Sequence, residues 1–210
     1  PGISRDAARY FLVTTNELIL YNLPLLAFTL LNMSFELVYF GIWIRLFQLL
    51  VLPMRMLVDA RLNRQIALYL NDDFKSARQN LNLSVRIGIL ICLFALTALF
   101  FMKSVVLNWL GAEHIANDKW LMPSLVLWCV GNVVQHVFGS FVLSYGKGFS
   151  YALRISSMSL CGMLLITFFA YSLFELTPGL LLLCLGIVYC LFSSGYVLHV
   201  WRVLGVKQES

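Results

Sequence analysis

The chain has 210 residues, 60% of them hydrophobic and 12% charged, and a formal net charge of +5. Its mean hydropathy is +0.84 and its isoelectric point about 9.1. That apolar content is more than a soluble core hides, and it comes in long blocks with short polar punctuation, which excludes a water-soluble domain and defines an all-α polytopic membrane protein.

A spanning helix needs about 20 mostly apolar residues, and six segments qualify: about 9–31, 35–55, 85–102, 120–145, 155–174 and 178–201. The first carries Asn16 and Glu17, and its Pro24 predicts a kink. Leu31-Asn32-Met33-Ser34 is a short turn, so the first two helices are antiparallel neighbours. From Leu37 to Met54 the second span is uncharged except for Arg45, with Gln48 one turn further on. A guanidinium at the bilayer centre costs from about 3 to more than 10 kcal/mol, so one that persists there faces a partner, a wet cavity or an anion.

Below that span, Val58, Leu62, Ile66 and Tyr69 share one helical face, which predicts an amphipathic cytoplasmic segment over 55–81 lying near the lipid surface. Asn71-Asp72-Asp73 starts a new helix within it, with acidic residues where the helix dipole favours them. The third span is short and can borrow length from Leu81 to Ser84. Asn108-Trp109-Leu110-Gly111 reads as a helix end with an interfacial tryptophan and a glycine stop.

On the fourth span Trp128, Asn132, Gln135, His136 and Gly139 recur at spacings of three and four, one polar stripe on one face. Two carboxamides in hydrocarbon each need a partner or water, which points to a lined cavity. Tyr145-Gly146-Lys147-Gly148 is a tight inner loop, and Glu175-Leu176-Thr177-Pro178 supplies an N-cap threonine and a proline at the first helical position. Gly186, Cys190 and Ser194, four apart, form a small-residue face for close packing on the last span. His199 and Trp201 read as anchors at the inner interface.

The charges orient the chain. With residue 1 cytoplasmic, Arg5, Arg9, Arg55, Arg61, Arg64, Lys75, Arg78, Arg86, Lys147, Arg154, Arg202 and Lys207 lie inside and Lys103 and Lys119 outside; of the 15 basic residues only Arg45 remains, within a span. The positive-inside rule then puts both termini in the cytoplasm. Anionic inner-leaflet lipid accounts for the basic character, with no call for nucleic acid. No cleavable signal peptide is expected, because Arg5, Asp6, Arg9 and Glu17 interrupt any short apolar region. Beginning at Pro1 without a methionine, the chain reads as a fragment or a trimmed product. The five cysteines all fall within spans and read as packing residues; neither they nor the acids form a metal-ligating, cofactor-binding or catalytic pattern, and no enzyme is expected.

The run Phe35-Glu36-Leu37-Val38-Tyr39-Phe40-Gly41-Ile42-Trp43-Ile44-Arg45-Leu46, then Leu52-Pro53, then Ile66-Ala67-Leu68-Tyr69 and Asp72-Asp73-Phe74-Lys75-Ser76-Ala77-Arg78, resembles the C-terminal half of the polysaccharide (O-antigen, Wzx-type) flippases. These belong to the multidrug/oligosaccharidyl-lipid/polysaccharide export superfamily. The resemblance continues through Asn108-Trp109-Leu110-Gly111 and the Tyr145-Gly146-Lys147-Gly148 loop and covers nearly the whole chain.

It implies one six-helix lobe of a two-lobed transporter in the bacterial inner membrane. That transporter moves a lipid-linked oligosaccharide on a polyprenyl pyrophosphate carrier, and a facing N-terminal six-helix lobe would be required. Repeat-built transporters bind at the midplane between halves, which makes Arg45, Glu17, Asn16, Gln48, Asn132, Gln135 and His136 the candidate cavity residues. Counted at 1.5 Å per residue, Glu17 and Arg45 fall within a few ångströms of the same depth. They fit either a buried ion pair between adjacent helices or a pyrophosphate-binding arginine with an acid beside it. A cation-coupled multidrug exporter half, with Glu17 as coupling acid, and a non-catalytic membrane subunit of polysaccharide assembly are the alternatives.

Overall fold

A computed structural model describes residues 2–109, 119–144, 148–173 and 177–206. Six helices account for nearly all of them: α1 (Gly2–Leu30), α2 (Ser34–Leu70), α3 (Phe74–Trp109), α4 (Leu121–Ser144), α5 (Phe149–Leu173) and α6 (Pro178–Val206). No strand occurs among the described residues. Five helices, over Ala7–Leu30, Phe74–Trp109, Leu121–Ser144, Phe149–Ala170 and Pro178–Gly205, are long and apolar enough to cross a membrane. The sixth expected span falls on the upper half of α2. Phe94, Phe101, Phe168 and Leu191 point outwards from the bundle, an arrangement unfavourable in water and ordinary in lipid.

The α1–α2 and α2–α3 turns share one device. After α1, Met33 N–H donates to Phe28 C=O at 3.0 Å and Asn32 N–H to Thr29 C=O at 3.2 Å; after α2, Asp73 N–H donates to Leu68 C=O at 3.0 Å and Asp72 N–H to Tyr69 C=O at 3.2 Å. Both are Schellman closures, and each places a short polar residue, Asn32 at φ 54° and Asp72 at φ 58°, in the left-handed region that Asn and Asp tolerate. Asp72 therefore ends α2 instead of starting α3. Asp73 caps α3, its Oδ1 accepting Ser76 N–H at 3.1 Å.

The expected surface-lying helix over 55–81 is not a separate element. α2 runs on through Pro53 to Leu70 and returns as α3. Val58 and Leu81 are buried, and Arg61 donates to Asn80 Oδ1 across the pair. At 1.5 Å per residue the 37 residues of α2 span about 55 Å, well beyond a hydrocarbon layer of roughly 30 Å. The apolar face read from Val58, Leu62, Ile66 and Tyr69 is partly taken up by neighbouring helices: Val58 is buried, and the Tyr69 ring meets Phe74 of α3 at 5.8 Å and Phe141 of α4 at 5.6 Å.

The inner helices pack closely through small residues. A Cβ on Gly186 would meet Leu127 at 3.2 Å and Trp128 at 3.4 Å, and one on Gly131 would run into the Tyr189 ring. The Cys190 thiol donates to Leu127 C=O at 3.0 Å. Ser194, expected to extend this face, is exposed and bonds its own helix at Leu191 C=O. Thr177 caps α6 as its sequence predicted, its Oγ1 accepting Leu180 N–H at 3.4 Å just ahead of Pro178. The Leu110-Gly111 end, most of the 145–148 loop and Glu175-Leu176 lie outside the described residues. α1 finds its main neighbour in α5, α2 in α3 and α4 in α6, with α3–α4 and α5–α6 contacts joining the pairs. α1 and α2 share less contact, and the polar residues collect in the space they leave beside α4 and α6.

Candidate functional site

That space is a cavity of about 300 Å³ lined by Thr14, Glu17 and Tyr21 of α1, Arg55 of α2, Asn132, Gln135, His136 and Ser140 of α4, and Tyr189 of α6. It extends down to Ser140 and Leu143, towards the end of the bundle where α1 begins and α4 ends.

Arg55 organises it. Its Nη2 donates to Asn132 Oδ1 at 2.9 Å, and its guanidinium lies over the Tyr21 ring, 4.4 Å from the centroid. The buried Nε–H has no hydrogen-bond partner among the described residues. Asn132 is oriented in turn by its own amide, which donates to Trp128 C=O at 2.8 Å. Glu17 lines the same cavity beside Gln135 and Arg55. At the mouth, His136 Nε2 lies 3.1 Å from Asp59 Oδ1, one helical turn beyond Arg55. The site thus holds a fixed cation, an acid beside an amide, and a histidine–aspartate contact bridging α4 and α2.

The helix carrying three of these groups changes its winding among them. Gln135–Gly139 forms a single π-helical turn within α4, a local widening that recurs at functional sites. Trp128 does not line the cavity. Its Nε1 donates to Leu182 C=O at 3.3 Å, and its ring stacks on Tyr189 at 4.9 Å, backing the tyrosine that does. Gly139 packs near Tyr196.

Of the residues singled out in the sequence, the structure brings together Glu17, Asn132, Gln135 and His136. The cation beside Glu17 is Arg55, not Arg45. Arg45 borders a different cavity, with Leu25 and Gly41, higher on α2. The depth count from the sequence treated α1 and α2 as a closely paired hairpin, whereas each packs chiefly on another helix and the cavity opens between them. Asn16 turns away and donates to Ser156 Oγ at 3.2 Å and Ser157 Oγ at 3.0 Å, fastening α1 to α5. Gln48 is half-buried and lines neither cavity.

Sequence reasoning missed Arg55, Tyr21, Asp59 and Tyr189. Arg55 had been counted as a charge at the cytoplasmic end of a span. The four-residue spacing of Arg55 and Asp59, which puts both on one face of α2, was the signal available. Comparison with protein-family models, with curated proteins and with solved structures gave no match.

Proposed function

We propose that the chain is the second six-helix lobe of a flippase of the bacterial inner membrane. Facing an N-terminal lobe, it would move a lipid-linked oligosaccharide on a polyprenyl pyrophosphate carrier. The observation that carries this reading is Arg55: a guanidinium within the bundle, fixed by Asn132 and Tyr21, with room for a ligand beside it. A planar guanidinium matches phosphate oxygens in a bidentate manner, and the amide and tyrosine side chains around it suit a hydroxyl-rich headgroup. The cavity extends towards the end of the bundle where the basic residues gather, which supports loading from the cytoplasmic side with both termini inside.

Vesicles containing the chain and a six-helix first lobe, loaded with a labelled prenyl-pyrophosphate saccharide, test the reading. Arg55→Gln should abolish flipping at normal abundance, and Arg55→Lys should keep part of it; full activity in Arg55→Gln refutes the assignment. Lys75→Cys should label with an impermeant thiol reagent from inside and Lys119→Cys from outside, and the reverse pattern overturns the orientation.

A second reading has support in Glu17, an acid that shares the cavity with the aromatic rings of Tyr21 and Tyr189. A cation-coupled multidrug exporter would use it to hold its cargo. Export of a cationic dye that Glu17→Gln abolishes and Arg55→Gln spares would favour that reading.

A further inference from the structure

Arg55 and Asp59 sit one helical turn apart on α2, as do Asn132 and His136 on α4, and the two helices meet there in two rungs. Arg55 Nη2 donates to Asn132 Oδ1 at 2.9 Å, and one turn further on Asp59 Oδ1 lies 3.1 Å from His136 Nε2. Both rungs join residues with the same offset along the chain, so α2 and α4 run in the same direction and are held in register. The rungs differ in kind. The first joins a guanidinium that keeps its charge throughout the physiological range to an amide whose nitrogen is engaged by Trp128 C=O at 2.8 Å. The second is an ion pair only while the imidazole carries a proton, and histidine changes charge between about pH 5 and pH 8.

The surroundings make the second rung the one that can let go. Asp59 is 59% exposed, so water competes for its carboxylate, and a pair in this position is weak enough to break and reform. His136 stands in the π turn Gln135–Gly139, where the regular ladder of α4 is interrupted. Pro53, just ahead of Arg55, removes a backbone hydrogen bond from α2 and gives the helix a point at which to bend. Further down, the Tyr69 ring meets Phe141 edge-on at 5.6 Å, an apolar contact with no donor and acceptor to fix it in one place. The titratable and charged groups facing His136 are Asp59 and Arg55 of α2, Glu17 and Tyr21 of α1, and Tyr189 and Tyr196 of α6, with Asp59 the acid in contact with the ring. No α3 side chain lines the cavity among the described residues.

We propose that Asp59 and His136 form a proton-operated clasp between α2 and α4 that sets the width of the cleft between α1 and α2. With His136 protonated, the clasp holds the inner half of α2 against α4 and the cleft stands wide. When His136 gives its proton to water the pair is lost, α2 beyond Pro53 swings from α4 towards α1, and the cleft narrows. The device does not depend on what the cavity binds.

Spin labels at Arg64→Cys, on an exposed face of α2, and at Met158→Cys, on the outside of α5, read the movement, because α5 is the main neighbour of α1. With the full chain in nanodiscs, in a cysteine-free background, pulsed electron paramagnetic resonance should show a long and a short distance. The short one should gain on the long one by about two- to fivefold as pH rises from about 5 to about 8, the range for a partly exposed pair. His136→Gln and Asp59→Asn should each show the high-pH pattern at every pH. His136→Arg, which cannot lose its charge, should show the low-pH pattern throughout, which separates loss of the clasp from loss of the fold.

A wild-type distance distribution that is the same at both pH values overturns the proposal. So does a response that survives in both His136→Gln and Asp59→Asn. A response that Glu17→Gln removes and His136→Gln keeps also overturns it, since the switch would then lie on α1.

Discussion

Arg55 and Asn132, 77 positions apart in the chain, share a 2.9 Å hydrogen bond that straps α2 to α4 beside the cavity. The amide of Asn132 is spoken for by Trp128 C=O at 2.8 Å, so its oxygen faces Arg55 in one orientation only. The strap therefore fixes where a positive charge sits within an otherwise apolar bundle.

Changing Asn132 should separate the fold from the charge. Asn132→Leu leaves a buried guanidinium without its acceptor and should cost about 1–3 kcal/mol, read as a lower melting temperature in detergent. Asn132→Asp keeps the acceptor but neutralises Arg55, so it should hold its melting temperature while anionic-lipid flipping is lost. Loss of stability in Asn132→Asp matching that of Asn132→Leu would count against the strap.

Close approach of α4 and α6 depends on a missing side chain. A Cβ on Gly131 would enter the Tyr189 ring, whereas one on Gly205 meets nothing within 4 Å. Gly131→Ala should destabilise by about 1–3 kcal/mol through overpacking. Gly205→Ala should be neutral or stabilise by up to about 1 kcal/mol, because alanine restricts the unfolded chain. Thermal unfolding of the two variants side by side distinguishes them.

The start of α3 should respond to acid. Asp73 is held below the usual carboxylate range by its hydrogen bonds with Ser76, first through the side chain and then through the backbone N–H. A depressed carboxylate contributes stability above its unfolded value and loses it as pH falls through the folded one. Amide-exchange protection over residues 74–78, measured relative to the intrinsic exchange rate at each pH, should therefore fall as pH drops below the ordinary aspartate range. Asp73→Asn, which keeps an acceptor but cannot titrate, should remove that dependence.

Water access should follow the face of α4. In a cysteine-free background, Gln135→Cys should react readily with a small aqueous thiol reagent, since Gln135 lines the cavity. Val130→Cys should react slowly, because Val130 is exposed on the outer, lipid-facing side of the bundle. Comparable rates at both positions would remove the wet cavity.

The sequence by itself determined the helices, their apolar stretches, the Thr177 cap, the close packing around Gly186 and Cys190, and the polar stripe of Asn132, Gln135 and His136. These follow from local rules of periodicity, capping and side-chain size that act within a turn or two of helix. Only the tertiary structure decided which cation meets that stripe. Arg45 and Arg55 share a helix, and depth along the chain favoured the first. The choice between them depends on which neighbours α1 and α2 prefer, on the face each arginine presents and on the opening that results. The same holds for the amphipathic stretch after Met54: its apolar face is plain in the sequence, but lipid and a neighbouring helix satisfy such a face equally well. The Asp72 turn folds α3 back on α2, and in the folded chain Tyr69 of that face meets Phe74 of α3 and Phe141 of α4.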